Sequence, residues 1–262
     1  MIVEWFTFCY NEIQILPFVV DYWKHMNAHV TVYDNESNDG SYEFLKKIPF
    51  VTVKVWKTNG ILDDMELLRI KNMCWKNVVG KTDFVIVSDM DECLFIDEPE
   101  LILREMKNEN IATITPEFLN LISYVFPKYD GRLMHNIVDT FYIDEWKYYN
   151  DIDKKYDRFG KKQKMLVFNP NLVKETNYLP GCYESKPEIC GKCIQTNKIK
   201  CFHFHDIGLC RKIERYKERK DRMSETNIKL HLSDFYLEDK HKTISDFMLD
   251  LKNSKRFLNA NS

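Results

Sequence analysis

The sequence predicts an α/β fold with a mostly parallel sheet covered by helices on both faces. Three observations predict it. Within residues 1–90, β-branched and aromatic runs alternate with segments of helical spacing. The run 2–9 is β-branched and aromatic and the run 84–88 is apolar, which suits strands buried on both sides. Three of the four end in acidic or amide residues.

Residues 2–9 form the first strand and stop at Tyr10-Asn11-Glu12. Ile13, Leu16, Val20 and Trp23 then recur at helical spacing through Asn27, with Pro17 tolerable in a first turn. Residues 29–33 are a second strand, followed by the loop signal Asp34-Asn35-Glu36-Ser37-Asn38-Asp39-Gly40-Ser41 and a helix over 42–47. A third strand covers 51–56. A long helix covers 64–79, with Leu67, Ile70, Cys74 and Val78 on one side, and a fourth strand covers 84–88. Ligands of such sheets sit outside the carboxyl ends of the strands, so one cleft should collect Asn11-Glu12, Asp34-Asn35 and Asp89-Met90-Asp91-Glu92. Beyond residue 95 the pattern is less regular: short strands at 111–114 and 165–168, an aromatic and acidic stretch over 142–157, and turns with cysteines over 180–200. A closing helix through Ile244, Phe247 and Leu251 precedes an end that should fray. The expected organisation is one domain over 1–225, with a first half (1–95) that forms the strand-end cleft and a second half (96–210) that builds its other side, then a helical tail over 226–262.

Composition narrows the function classes. A chain of 262 residues with 44% hydrophobic content builds a full core. Lys+Arg 38 against Asp+Glu 40, with the signs mixed, gives a net charge of −2 and no broad basic face for nucleic acid. No apolar run reaches the roughly 18 residues of a membrane span, and the first residues lack the basic start of a signal peptide. The expectation is a soluble, cytoplasmic protein, with weak membrane-surface attraction through the basic run 211–222 as its only tie to a bilayer. The eight cysteines then read as reduced thiols. A zinc site from Cys182, Cys190, Cys193 and Cys201 lacks a second close pair.

Asp89 and Asp91 follow the apolar run Phe84-Val85-Ile86-Val87-Ser88. Two carboxylates one residue apart at a strand end suit a hard divalent cation with open positions for phosphate oxygens. Asp151-Ile152-Asp153 has the same form without a preceding buried strand and is expected to be a solvated turn. Cys201-Phe202-His203-Phe204-His205 alternates, so both histidines face one side of a strand and either can complete a metal or phosphate site. Lys161, Lys162 and Lys164 form a small basic cluster, a solvated face or a diphosphate contact.

Taken in order, these motifs resemble family 2-like glycosyltransferases of the GT-A fold. The resemblance rests on Cys9-Tyr10-Asn11-Glu12, the loop from Asp34 to Ser41, and Asp83 through Glu92. It extends through Arg69-Ile70-Lys71-Asn72 ahead of Trp75, Lys164 ahead of Phe168-Asn169-Pro170, Pro180-Gly181-Cys182, and His203-Phe204-His205-Asp206-Ile207-Gly208, landmarks of one bacterial and viral branch. It covers residues 3–225. It implies that Cys9, Asn11, Glu12 and Asp34 lie beside the nucleotide base and ribose, and that Arg69 and Asn72 face the nucleotide. Asp89 and Asp91, with His203, would hold the metal, Mn²⁺ or Mg²⁺, and Lys164 and His205 would contact the diphosphate or acceptor. The branch usually has glycine where Glu36 stands, histidine where Tyr183 stands and lysine where His205 stands.

The implied chemistry is inverting transfer of a sugar from a nucleotide-diphosphate donor, UDP by preference, to a hydroxyl of a glycan, lipid-linked or protein-linked acceptor. A carboxylate must deprotonate that hydroxyl; Asp153 is preferred for its aromatic surroundings, with Asp151 and Glu184 as alternatives. Two rivals remain: a metal-dependent nucleotide-sugar hydrolase or nucleotidyltransferase, and a catalytically silent carbohydrate-binding protein of the same fold.

Overall fold

The computed structural model describes all residues except 144, 151–154, 162–163, 181–184 and 258–262, and gives only backbone for 145–150 and 155–161. The expected α/β class holds. Strands β1 (Val3–Cys9), β2 (His29–Asp34) and β3 (Val51–Val55) run parallel, with helices α1 (Leu16–His25) and α2 (Ser41–Leu45) between them. Helix α3 (Asp64–Met73) leads to β4 (Phe84–Val87), which joins β1 on its other side, again parallel. The order β3-β2-β1-β4 puts all four carboxyl ends on one edge.

β1 and β4 are buried on both faces and β2 over most of its length, while β3, at the end of the sheet, is half-buried to exposed. On one face Val3 and Trp5 pack with Leu16, Phe18, Val19 and Trp23 of α1. On the other, Phe6, Phe8, Val85 and Val87 pack with Ile70, Cys74 and Trp75 from α3 and the turn after it. Alternate side chains of one strand thus serve two cores. Pro17 sits in the first turn of α1, and Asp63 caps α3 by accepting from the amides of Met65 and Glu66.

The rest of the sheet is longer than the sequence predicts. β5 (Glu92–Phe95) leaves the edge at once, α4 (Pro99–Asn108) returns the chain, and β6 (Ile111–Ser123) runs thirteen residues where only 111–114 is expected. Then come β7 (Thr140–Tyr142), the hairpin β8 (Glu145–Asn150) and β9 (Lys155–Lys161), β10 (Val167–Phe168), β11 (Val173–Glu175) and β12 (Glu188–Ile189). β10 inserts antiparallel between β4 and β6. The expected turn-and-cysteine region over 180–200 closes into β13 (Lys192–Ile207), a sixteen-residue strand parallel to β6 and antiparallel to β5. Cys193 and Cys201 therefore stand eight residues apart along one strand, roughly 26 Å at strand rise, too far to share a zinc ion. Cys182 lies outside the described residues.

Helix α5 (Leu209–Arg222) follows β13, then α6 (Glu225–Lys229), a short 3-10 turn over 234–237, α7 (Lys240–Asn253) and β14 (Lys255–Arg256). The segment expected as a tail is bound into the molecule. Phe247 is fully buried against Ile122 and Leu209, Met223 bridges to Leu62, and β14 pairs with β7. Among the described residues, no helix is long and apolar enough to cross a membrane.

Candidate active site

The carboxyl edge of the four parallel strands opens into a cavity of about 750 Å³, within the range of small-molecule sites. β4 ends at Val87, and Asp89, Asp91 and Glu92 enter this cavity from the turn that follows. β13 is laid against that turn: His203 lies opposite Glu92 in register, and the Phe204 amide donates to the Asp91 carbonyl at 2.8 Å. The alternation Cys201-Phe202-His203-Phe204-His205 then does what period two dictates. Cys201, Phe202 and Phe204 are buried in the core, and both histidines line the cavity, their rings stacked at 5.4 Å.

Each aspartate is held by cations. Asp89 Oδ1 accepts from Lys71 Nζ at 2.6 Å and Oδ2 from Lys164 Nζ at 3.4 Å, while Lys164 also pairs with Glu92. Asp91 Oδ2 accepts from Arg215 Nη2 at 3.0 Å and lies 3.8 Å from His203 Nε2. Burial by itself would raise both carboxyls. Lys71 and Lys164 hold Asp89 below the usual carboxylate range, and Arg215, His203 and Arg219 hold Asp91 well below it. Both are carboxylates at neutral pH.

The donor set fits a divalent ion that arrives with phosphate. His203 Nδ1 lies 2.7 Å from Asn120 Oδ1, and its Nε2 lies 3.8 Å from Asp91 Oδ2. One imidazole nitrogen and one carboxylate oxygen thus face a common point. Among the described residues no three His, Cys, Asp or Glu side chains gather as a metal site. Mg²⁺-type ions are commonly held by one or two carboxylates with the remaining ligands from substrate phosphates and water.

The end of β1 and the loops after β1 and β2 contribute Cys9, Tyr10, Glu12 and Asn35 to the cavity wall. Cys9 is buried at the end of β1, with Sγ 3.8 Å from Ser37 Oγ. Asp34 ends β2: its Oδ1 accepts from the Ser37 amide at 3.1 Å, and its buried Oδ2 has no hydrogen-bond partner among the described residues. The Trp56 indole N–H, in the cavity wall, is equally without one. Asn11 donates to Glu218 Oε1 at 2.6 Å. Glu36 has φ +60°, the left-handed region, which explains the glycine usual there.

Glu12 is buried and faces arginines. Its carboxylate accepts from Arg211 at 2.8 Å, Arg215 at 2.7 Å and Arg219 at 3.4 Å, all from α5. Arg222 ends the row, its guanidinium carbon 3.1 Å from the Tyr10 ring centroid and Nη2 2.5 Å from Asn35 Oδ1. The basic run expected to be a solvated or membrane-facing surface is turned inward. A spacing of four residues puts Arg211, Arg215 and Arg219 on one helix face, the signal that finds them.

Other expected contacts go elsewhere. Arg69 is exposed and forms a fork with Glu66, outside the cavity wall, while its neighbour Lys71 is in it. Asn72 ties α3 to a later segment by accepting from Thr176 Oγ1 at 2.8 Å and the Tyr178 amide at 2.9 Å. His205 Nδ1 meets Asp206 Oδ1 at 3.2 Å, and Tyr216 sits at its Nε2. Asp206 also accepts from Lys212 at 2.5 Å and from Tyr142. Asp151, Asp153 and Glu184, the three carboxylates considered as base, lie outside the described residues, as does Lys162.

Comparison with known proteins adds three findings. The model of glycosyltransferase family 92 matches residues 3–258. No curated protein matches the sequence. Among solved structures, S. aureus TarS is similar over 95% of this chain and 43% of that chain, at 13% identity and TM-score 0.44. TarS 1-349 in complex with UDP is similar over 49% and 38%, at 14% identity and TM-score 0.37. The 4-diphosphocytidyl-2C-methyl-D-erythritol synthase of Anaerococcus prevotii is similar over 64% and 71%, at 9% identity and TM-score 0.37. The chain spans less than half the length of the TarS chains it matches.

Proposed function

The chain belongs to glycosyltransferase family 92, and from that membership we propose that its cleft binds a nucleoside-diphosphate sugar and transfers the sugar to an acceptor hydroxyl. The observation that carries this is the Asp89/Asp91 pair at the end of a buried parallel strand, ringed by Lys71, Lys164, Arg215 and His203. Carboxylates fixed among cations at a sheet's carboxyl edge suit a site where phosphate charge arrives and a leaving diphosphate must be stabilised.

Asp34 takes the base. Its buried Oδ2 is an acceptor without a partner among the described residues, which the ring N–H of the uracil of UDP would satisfy, and the Trp56 indole in the cavity wall offers a donor. A Mn²⁺ or Mg²⁺ ion on Asp91 and His203, with Asp89 beside them, supplies positive charge to the diphosphate when bound. Lys71 and Lys164 orient Asp89, and Lys164 shares its charge between Asp89 and Glu92. The reaction is a single displacement with inversion. The acceptor oxygen bonds to the anomeric carbon as the bond to the diphosphate oxygen breaks, and the hydroxyl proton passes to the Asp153 carboxylate. A glycan or a lipid- or protein-linked sugar is the acceptor.

The test is release of free nucleoside diphosphate from a panel of nucleotide sugars with Mn²⁺ or EDTA, beside an Asp91→Asn control whose fold is checked by thermal melting. Metal-dependent release from one donor, lost in the control, is the expected result. Neither release nor thermal stabilisation by any nucleotide would overturn the assignment of the cleft.

A further inference from the structure

α5 carries three guanidinium groups, from Arg211, Arg215 and Arg219, into a site that offers them two carboxylates, Glu12 and Asp91. On the opposite wall Lys71 and Lys164 meet Asp89 and Glu92, two charges against two. The three guanidinium groups thus outnumber the two carboxylates that touch them, while the cavity wall as a whole also carries Asp63, Asp64, Asp234, Glu238, Asp246 and Asp250.

The three arginines are not equivalent. Arg211 and Arg215 are sealed in, with side chains 6% and 9% exposed. Arg219 keeps 27% of its side chain exposed and lines the cavity. It is also the farthest of the three from Glu12, at 3.4 Å from Oε1, while Arg215 takes that same oxygen at 2.7 Å. Its second anchor is the Tyr236 hydroxyl, with the guanidinium 5.2 Å from that ring's centroid. Arg215, behind it, spans Glu12 and Asp91, and its buried Nε meets no partner among the described residues.

We propose that Arg219 is a diphosphate-binding residue of the donor site, with Glu12 and Tyr236 as its positioning residues. The inference rests on the donor assignment above and adds to it. Leaving-group charge is taken up by a fixed guanidinium from α5 as well as by the strand-end aspartates and their ion. A guanidinium presents two parallel N–H donors to phosphate oxygens, which an ammonium does not. Glu12 thereby acts through Arg219 and does not touch the nucleotide.

Calorimetric titration of UDP, GDP, CDP and TDP, each beside its nucleoside, in Mn²⁺ and again in EDTA, tests this. For the wild type the tightest diphosphate should exceed its nucleoside at least tenfold. Arg219→Ala should weaken that diphosphate by about 10- to 100-fold and leave the nucleoside within about twofold, from the usual worth of charged hydrogen bonds. Arg219→Lys should recover part of the loss. Tyr236→Phe, which keeps the ring and removes the hydroxyl, should weaken the diphosphate several-fold and the nucleoside not at all. That selectivity is one a merely structural defect would not produce. A folded Arg219→Ala protein that binds the diphosphate like wild type overturns the inference and leaves the donor assignment standing. A wild type that binds no nucleoside diphosphate in either condition overturns the donor assignment, and the inference with it.

Discussion

His135 shows how a single buried side chain couples this fold to pH. The Tyr22 hydroxyl accepts from the His135 backbone amide and so has its own proton to give to Nδ1, at 2.6 Å. The ring is stacked on Phe202 at 4.2 Å and edged by Phe95. Burial first, then the charges of Lys200 and His25, lower its pKa to about 4 from the ordinary 6.5. The folded state thus prefers the neutral ring. Between pH 6.5 and 4 the unfolded chain binds more protons at this site than the folded one. Its contribution is complete above pH 6.5 and is lost as pH falls through that window. Urea unfolding should show a stability loss from this group of about 3 kcal/mol across the window. In His135→Gln, whose amide oxygen can still accept from Tyr22, the corresponding slope should flatten; an unchanged slope would remove His135 as its source. The His203 alternation and the strand-end aspartates were legible in the sequence because their logic is local, in register and strand direction. His135 was not, because its partners Tyr22 and Phe202 come from distant strands and helices.

At the scale of elements, α5 is where sequence and structure part most usefully. The run from Arg211 to Arg222 reads as charge on a surface, because the carboxylate that accounts for it, Glu12, lies 199 residues before Arg211. Local pattern carries no trace of a partner so remote. The helix is aimed by Gly208, which precedes it with φ +81°. A Cβ built there would stand 2.9 Å from Phe126 Cβ and 3.2 Å from its backbone nitrogen. Gly208→Ala therefore meets both the strained backbone region and a neighbour that cannot swing aside. It should cost about 2–4 kcal/mol. Denaturant midpoints check the magnitude. A loss below about 1 kcal/mol would mean that the β13–α5 corner yields, and that the arginine row is not rigidly set.

For the whole molecule, the cavity gathers residues from Phe8 to Asp250, so a site built at the strand ends is closed by the last third of the chain. The alternating strands and helices made the first half of this plan, β1 to β4 and their helices, legible. The covering segment over 231–238 was not, since its short turns carry no periodicity that announces which surface they meet. α5, which meets that cover through Arg219 and Tyr236, brings the arginines to the aspartates, and it sets a competition at one atom. Asp91 Oδ2 is engaged by Arg215 at 3.0 Å and faces His203 Nε2 at 3.8 Å, so an ion entering alone must displace a guanidinium and, among the described residues, gains two protein ligands there. A diphosphate changes both conditions: it offers Arg215 and Arg219 other oxygens, and it offers the ion further ligands. Ion and nucleotide should therefore bind with positive coupling, and linkage requires the same factor in both directions. Electron paramagnetic resonance titration of Mn²⁺ should give weak binding to the protein alone, at least tenfold tighter with saturating UDP. UDP affinity should rise by that same factor with Mn²⁺. Asp91→Asn should abolish the coupling and leave the affinity for UDP in EDTA little changed, because the arginines remain. Tight Mn²⁺ binding that is indifferent to UDP would instead require a ligand set beyond Asp91 and His203, and would sink the idea that the donor completes the ion's site.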